Sequence, residues 1–300
     1  MIVKILATTQ YALSRLRAAK EIKIHSVYRN TVNLLCDSGR MLSLHPRSTP
    51  LSPIGLLADL KAAEFSALGF SNRSKAITAA GGLSVDNILF SFQGVQLAET
   101  TPMRISETQE RRLCDRISGA LRQMSQNTVF CDLLLGGEKY RLSPVAVYTR
   151  DILLDAKTCL QNHEPVPAAN HLTRLLGLGI GLTPSGDDFL CGVLAAAVMR
   201  GPGCDLPAAL PSQILQKLDR TNRISGEFLR CACEGRFSRA VAELPLAKSA
   251  GEIALSFSKI GHSSGADTLN GILYIFSQAN CLIGASGNLP AQKKSLSGMP

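Results

Sequence analysis

Two stretches of the chain concentrate residue types that can do chemistry. The first, GLGIGLTPSGDDFLCG at 177–192, sets three alternating glycines before a Thr-Pro-Ser turn and two adjacent aspartates. The second, GHSSGADTLNG at 261–271, echoes its core 79 residues later. Ser185–Leu194 and Ser264–Leu273 both fit S-G-x-D-x-L-x-G-[VI]-L, and each leads into an apolar segment of helical length. An internal duplication or two convergent helix starts would each produce that agreement. Gly181 and Gly261 stand in nearly equivalent places upstream.

Helix starts expose backbone N–H groups without intrahelical partners, and such groups bind phosphate or carboxylate. Gly181, Thr183, Ser185 and Gly186 in the first stretch, with Ser263, Ser264 and Gly265 in the second, are therefore candidate anion-binding residues. Asp187, Asp188 and Asp267 carry the wrong charge to touch that anion. They fit either as ligands of a bridging Mg²⁺ or as groups polarising a nucleophile or a substrate amide. Asp188 and Asp267 are the candidate catalytic carboxyls, and His262 is the best placed of five histidines for acid–base work. Thr221 and Ser225, four apart on one face of a later helix, either reach the same cleft or bond their own backbone. Arg174, Arg223 and Arg230 are the nearest basic partners for an anion.

The same residues admit an architectural explanation. A serine three residues before an acid makes a capping box, and Gly192 and Gly271 each follow an aspartate by four on one helix face. Glycine inside a helix costs about 1 kcal/mol against alanine, so its recurrence points to two helices in close contact. Familiar phosphate motifs fail. Gly181–Gly186 has P-loop spacing, yet Asp187 stands where the motif needs lysine, and the alternating glycines do not follow a strand as a dinucleotide fingerprint must. No G-x-S-x-G elbow and no H-x-x-x-H pair occurs, which sets aside serine hydrolases and zinc hydrolases.

The positioning elements fall into two kinds. KIHSVY, TVNLLC and RMLSLH (23–45) and NILFSFQGVQL (87–97) read as strands, with Gly55–Leu68 as a helix between them. Ser106 with Gln109 opens a helix running to about Met124, and TVFCDLLLG reads as a strand. Helices are then expected near 144–161, 167–177, 186–199, 213–234 and 265–279, and the tail after Ala285 reads as loosely ordered. The fold class is α+β: an antiparallel β-rich domain at 1–135, barrel or sandwich, then a mainly helical domain at 136–300 carrying the paired SGxDxLxG motifs.

With 300 residues, 45% apolar and only 18% charged, the chain has material for substantial cores and a surface suited to partner contact. The net charge of +9 favours an anionic ligand or partner. Scattered Lys and Arg, no Trp and no recognition motif argue against nucleic acid. Phe189–Met199, the longest apolar run at eleven residues, is too short to cross a bilayer. The opening MIVKILATTQ lacks a signal-peptide core, and nine scattered cysteines suit the reducing cytoplasm.

The motifs together resemble an AllH-like family whose pattern is G-x-G-x-G-L-T-P-S-G-D-D-F-L-x-G, a Thr/Ser-bearing helix, and G-H-[ST]-S-G-x-D-x-L-x-G. The chain matches through Gly177–Gly192, Thr221 and Ser225, and Gly261–Gly271. That resemblance implies a subunit of a three-part oxamate carbamoyltransferase, which converts oxalurate and phosphate to oxamate and carbamoyl phosphate. It implies a small anionic substrate, phosphate, and hetero-oligomeric partner subunits, with self-association and a non-catalytic assembly or anion-binding role as alternatives. Mg²⁺ remains the one cofactor for which residues are at hand.

Overall fold

The structure is a computed structural model describing residues 1–79, 81–125, 128–136, 143–201 and 206–280. The first half is β-rich: β1 (Ile2–Thr9), α1 (Gln10–Ala18), β2 (Ile22–Tyr28), β3 (Thr31–Cys36), β4 (Met41–Pro46), β5 (Gly55–Ala58), α2 (Ala62–Ala67), β6 (Ala76–Ala79), β7 (Gly82–Val85), β8 (Ile88–Ser91) and β9 (Gln96–Ala98). The second is helical: α3 (Glu107–Gln123), α4 (Val129–Leu135), α5 (Pro144–Gln161), α6 (Pro165–Leu172), α7 (Ser185–Arg200), α8 (Leu206–Gln216), α9 (Arg223–Cys233), α10 (Arg239–Glu243), α11 (Ala250–Phe257) and α12 (Ser264–Asn280).

The strands form one sheet in the order β2-β3-β4-β5-β1-β8-β7-β6, with β9 also on β1, and it curls towards a barrel. Pairing is mixed rather than purely antiparallel, because β1 runs parallel to β8 and β9, and β4 parallel to β5. Those parallel contacts join distant segments, so no local turn signal announces them. The helix expected over 55–68 is divided: Gly55–Ala58 joins the sheet and only Ala62–Ala67 is helical. α1 arises where the opening strand stops, with the Thr9 side chain accepting the Ala12 N–H at 2.9 Å.

The segment expected as a strand, TVFCDLLLG, is α4. Thr128 caps it by accepting the Cys131 N–H, and Gly136 closes it at φ 79°. Short apolar runs suit a buried helix or strand equally, and here the two cap residues decide. α3 and α4, expected in the β-rich half, contribute Leu113, Ile117 and Phe130 to the helical core. The expected 213–234 helix is two helices, broken between Lys217 and Asn222. The tail after Ala285 lies outside the described residues, as do 137–142 beside the expected boundary between 135 and 136.

α7 and α12 form the centre of the helical half. Phe189 stacks on Phe130 at 4.2 Å between ring centres, and Tyr274 donates to the Leu153 carbonyl at 2.8 Å. At the far end of the pair Arg200 grips Glu110 with two bonds of 2.8 and 2.6 Å and donates to the Ile275 carbonyl. No helix among the described residues is long and apolar enough to cross a membrane.

Candidate functional site

Seating α7 against α12 requires glycine. A Cβ on Gly192 would lie 2.0 Å from the Thr268 carbonyl oxygen, and one on Gly271 would lie 2.0 Å from that of Phe189. Shifting Phe189 and Gly192 by the 79-residue repeat gives Thr268 and Gly271, so each contact is the image of the other. The two motif copies are thus related by a local two-fold, as in an isologous dimer. Their entry turns agree as well. A Cβ on Gly186 would strike the Leu175 carbonyl and one on Gly265 the Phe257 carbonyl, each at 2.0 Å.

The two-fold brings the SGxD turns together. Thr183 Oγ1 and Ser264 Oγ are 2.8 Å apart, a hydrogen bond between the first turn and the second. The electrostatic influence of the serines on the aspartates also crosses between the helices, alongside that of hydroxyls from each aspartate's own turn. The Ser264 hydroxyl of α12 acts on Asp188 of α7, and the Ser185 hydroxyl of α7 acts on Asp267 of α12. The capping boxes expected from sequence would pair each aspartate with the serine of its own helix. At α7 the N-cap is instead Pro184, and Ser185 is already helical.

Asp267 is fully buried, and neither carboxylate oxygen has a direct hydrogen-bond partner. Burial raises it from the usual 3.8 to about 6. The hydroxyls of Thr128, Ser185 and Ser263 oppose that rise, close enough to favour the ionised form without reaching direct hydrogen-bond geometry. Asp188 is half-buried, with Oδ2 sealed and unpartnered. Burial holds it well above the usual carboxylate range; the Ser264 and Thr183 hydroxyls oppose this, while the charges of Asp267 and Asp187 add to it. Two carboxyls that favour keeping their protons therefore share one hydroxyl-lined nest.

Asp187 does different work. Its Oδ1 accepts the Gly177 N–H at 2.8 Å, and its Oδ2 accepts the Ser225 hydroxyl at 2.7 Å and the Thr221 hydroxyl. It braces the glycine turn and the start of α9 against α7. Gly177, at φ 74°, approaches the Arg220 carbonyl so closely that a Cβ would lie 2.1 Å away. Asn222 caps α9 and donates to the Leu182 carbonyl at 2.9 Å, a second tie on the turn. Thr221 and Ser225 therefore reach Asp187 rather than an open cleft.

These bonds bear on the Mg²⁺ expectation. With Asp187 occupied by three donors, the three-carboxylate set does not assemble. Among the described residues no group of three or more His, Cys, Asp or Glu is arranged to hold a metal ion. Asp187 is thus taken out of the expected ligand set, while Asp188 and Asp267 keep carboxylate oxygens without a direct partner.

The backbone donors differ from expectation too. The Gly186 N–H is given to the Leu178 carbonyl at 2.8 Å and the Gly265 N–H to the Ile260 carbonyl at 3.1 Å, so both serve the turns internally. The first turn is also three residues longer between equivalent points. Gly179, rather than Gly181, matches Gly261: a Cβ on Gly179 would meet Ser185, and one on Gly261 would meet Ser264. Gly181 lies at the exposed tip, where Ile180 is 95% exposed. His262 is exposed at the second turn, beside the half-buried Ser263. Arg174 and Arg223 are exposed and Arg230 is half-buried, Arg174 resting over the Tyr148 ring. Two open grooves of about 280 and 320 Å³ run beside α10 and α11, and neither includes a residue of the paired turns.

Thr128 and Asn222 are the site residues that sequence reasoning missed. Thr128 was hidden by reading its segment as a strand, although a threonine before an apolar run is an ordinary N-cap signal. Asn222 was hidden by drawing one helix through 213–234.

Residues 175–276 match the family model of the oxamate carbamoyltransferase subunit AllH, and residues 4–99 match the AllH family N-terminal domain. The chain belongs to the AllH family. The AllH match spans both turns, α9 and most of α12, and the AllH N-terminal match ends where the sheet ends, after β9. No solved structure matches the chain.

Proposed function

We propose that this AllH-family chain is a subunit of a carbamoyltransferase-type complex, and that its paired turns bind a small anionic ureido or amide substrate. The observation that carries this reading is the hydroxyl-lined nest where the two turns meet, in which the raised carboxyl of Asp188 lies beside the buried Asp267. A carboxyl protonated near neutral pH is a general acid. Transfer of a carbamoyl group from oxalurate to phosphate needs one. The phosphate oxygen bonds to the ureido carbon, the bond from that carbon to the oxamate nitrogen breaks, and the leaving nitrogen takes a proton. Asp188, the half-exposed member, donates it, and the proton of the attacking hydrogenphosphate returns to the Asp188 carboxylate. Asp267, sealed behind, keeps Asp188 protonated through its charge. The Ser263 hydroxyl, His262 and whichever of Thr183 and Ser264 accepts in their mutual hydrogen bond donate to the anions and to the oxygen that gains charge on the attacked carbonyl.

The test is carbamoyl phosphate formation from oxalurate and phosphate, by the chain alone and with its partner subunits. Asp188→Asn lowers the rate by about 100-fold or more, the usual size of a general-acid contribution. An undiminished rate defeats the catalytic reading. A non-catalytic assembly role is favoured by one observation, the 95% exposed Ile180 at the tip of the first turn. On that reading Ile180→Asp abolishes the effect on partner subunits, whereas Asp188→Asn leaves it intact.

A further inference from the structure

Where the two halves meet, α9 is clamped by the β-rich half through a buried polar joint. The Tyr11 hydroxyl of α1 donates to Glu227 Oε1 at 2.5 Å, and Arg40 Nη1 lies 3.6 Å from the same oxygen. Tyr11 and Glu227 are 5% and 3% exposed. The guanidinium groups of Arg15 and Arg236 lie 5.0 and 5.1 Å from the centre of the tyrosine ring. Around these groups, Tyr11, Met41 and Ile54 from the first half pack with Ile224 and Cys231 from α9. Glu227 is two residues beyond Ser225, whose hydroxyl holds Asp187, and Asp187 in turn holds the Gly177 N–H. One short helix is therefore fixed at adjacent positions to the interdomain joint and to the turn.

We propose that Tyr11 is a positioning residue for the paired turns: its bond to Glu227 sets the seat of α9, and through Ser225 and Asp187 the conformation of the glycine turn at 177–183. Neither residue belongs to a motif, and neither touches the turns. The functional meaning rests on the paired turns being the site, but the coupling itself is read without any assay of activity.

Amide hydrogen exchange on the full chain tests it. Tyr11→Phe removes one hydroxyl and keeps the ring; the turn amides of Gly177 and Leu178, which donate to Asp187 and to the Leu175 carbonyl, should then exchange roughly tenfold faster, the effect of losing one buried hydrogen bond. Those of α3 and α11 should change by less than about twofold, since they lie off the line of contacts from Tyr11 through α9 to the turn. Ser225→Ala should speed the same turn, and the double variant should be no faster than the faster single one, because both act along one chain of contacts. Unchanged turn exchange in Tyr11→Phe, uniform acceleration everywhere, or single effects that multiply in the double variant would each overturn the proposal. Should Tyr11→Phe fail to fold, Glu227→Gln serves, since it keeps an acceptor for the hydroxyl and removes the charge facing Arg40. Turn exchange within about twofold of native then supports pinning by the hydroxyl; a larger acceleration assigns it to the ion pair and refutes the role of Tyr11.

Discussion

Replacing Asp267 with asparagine should stabilise the protein above neutral pH and not at acid pH. Asp267 is fully buried, without a direct partner on either oxygen, and its carboxyl is raised from 3.8 to about 6. The native state therefore holds this proton more tightly than the unfolded chain does. Its contribution is fully present below pH 3.8, is lost as pH rises towards 6, and stays lost above. The ionised form costs the fold about 3 kcal/mol, at ~1.36 kcal/mol for each factor of ten in acidity. Asparagine has nearly the shape of the protonated acid and cannot ionise. Urea unfolding of the native protein and Asp267→Asn at pH 4 and pH 8 reads the term, with Asp188, whose carboxyl feels the Asp267 charge, shifting in the same direction, and groups away from the nest cancelling in the comparison. The gain of the variant over native should be larger by up to about 3 kcal/mol at pH 8 than at pH 4. An equal difference at both pH values would mean that Asp267 has an ordinary carboxyl, and the reasoning from burial would be wrong.

Other outcomes follow from the same geometry. Gly192→Ala or Gly271→Ala forces a methyl against a backbone carbonyl and should cost about 3 kcal/mol, near the upper end for overpacking, in denaturant unfolding. Gly181→Ala, with open space around it but φ +102°, should cost only about 1–2 kcal/mol through backbone strain. Thr221→Val and Ser225→Ala each remove a donor from the buried Asp187 carboxylate, and each should lower stability by about 1–3 kcal/mol in the same assay. Because Asp188 acts as an acid with a raised pKa, carbamoyl transfer should fall as pH rises through that value, and Ser264→Ala should move the falling limb to higher pH. A limb unmoved by that change would count against Ser264 as its partner.

Much of this was legible in the sequence where the signal is local. Ser106 and Gln109 do form the capping box that opens α3, Pro144 opens α5, and the matching SGxDxLxG strings located α7 and α12 within a residue or two. Gly192 and Gly271 announced close helix contact, which the crossing of α7 and α12 provides. What escaped was non-local. A serine three residues before an aspartate reads as a cap on one helix; only the two-fold between distant copies exchanges the partners. The fate of the Gly186 and Gly265 N–H groups depends on how each turn folds back, and that in turn depends on a three-residue difference in turn length. Asp187 and Asp188 are adjacent and alike in sequence, yet helical rotation turns one towards α9 and the other towards α12, giving a brace and an acid. The joint at Tyr11 and Glu227 links residues 216 apart in the chain, with no periodic signature to betray it.

The exchange of serine partners is most directly read by carbon-13 NMR titration of the aspartate carboxyls in Ser185→Ala and Ser264→Ala. Exchanged pairing predicts that Ser185→Ala raises the pKa of Asp267 while Ser264→Ala raises that of Asp188, since each loses the hydroxyl that favours its ionised form. If Asp188 instead responds to Ser185 and Asp267 to Ser264, each serine acts within its own helix, and the crossed pairing that the proposed function rests on does not exist.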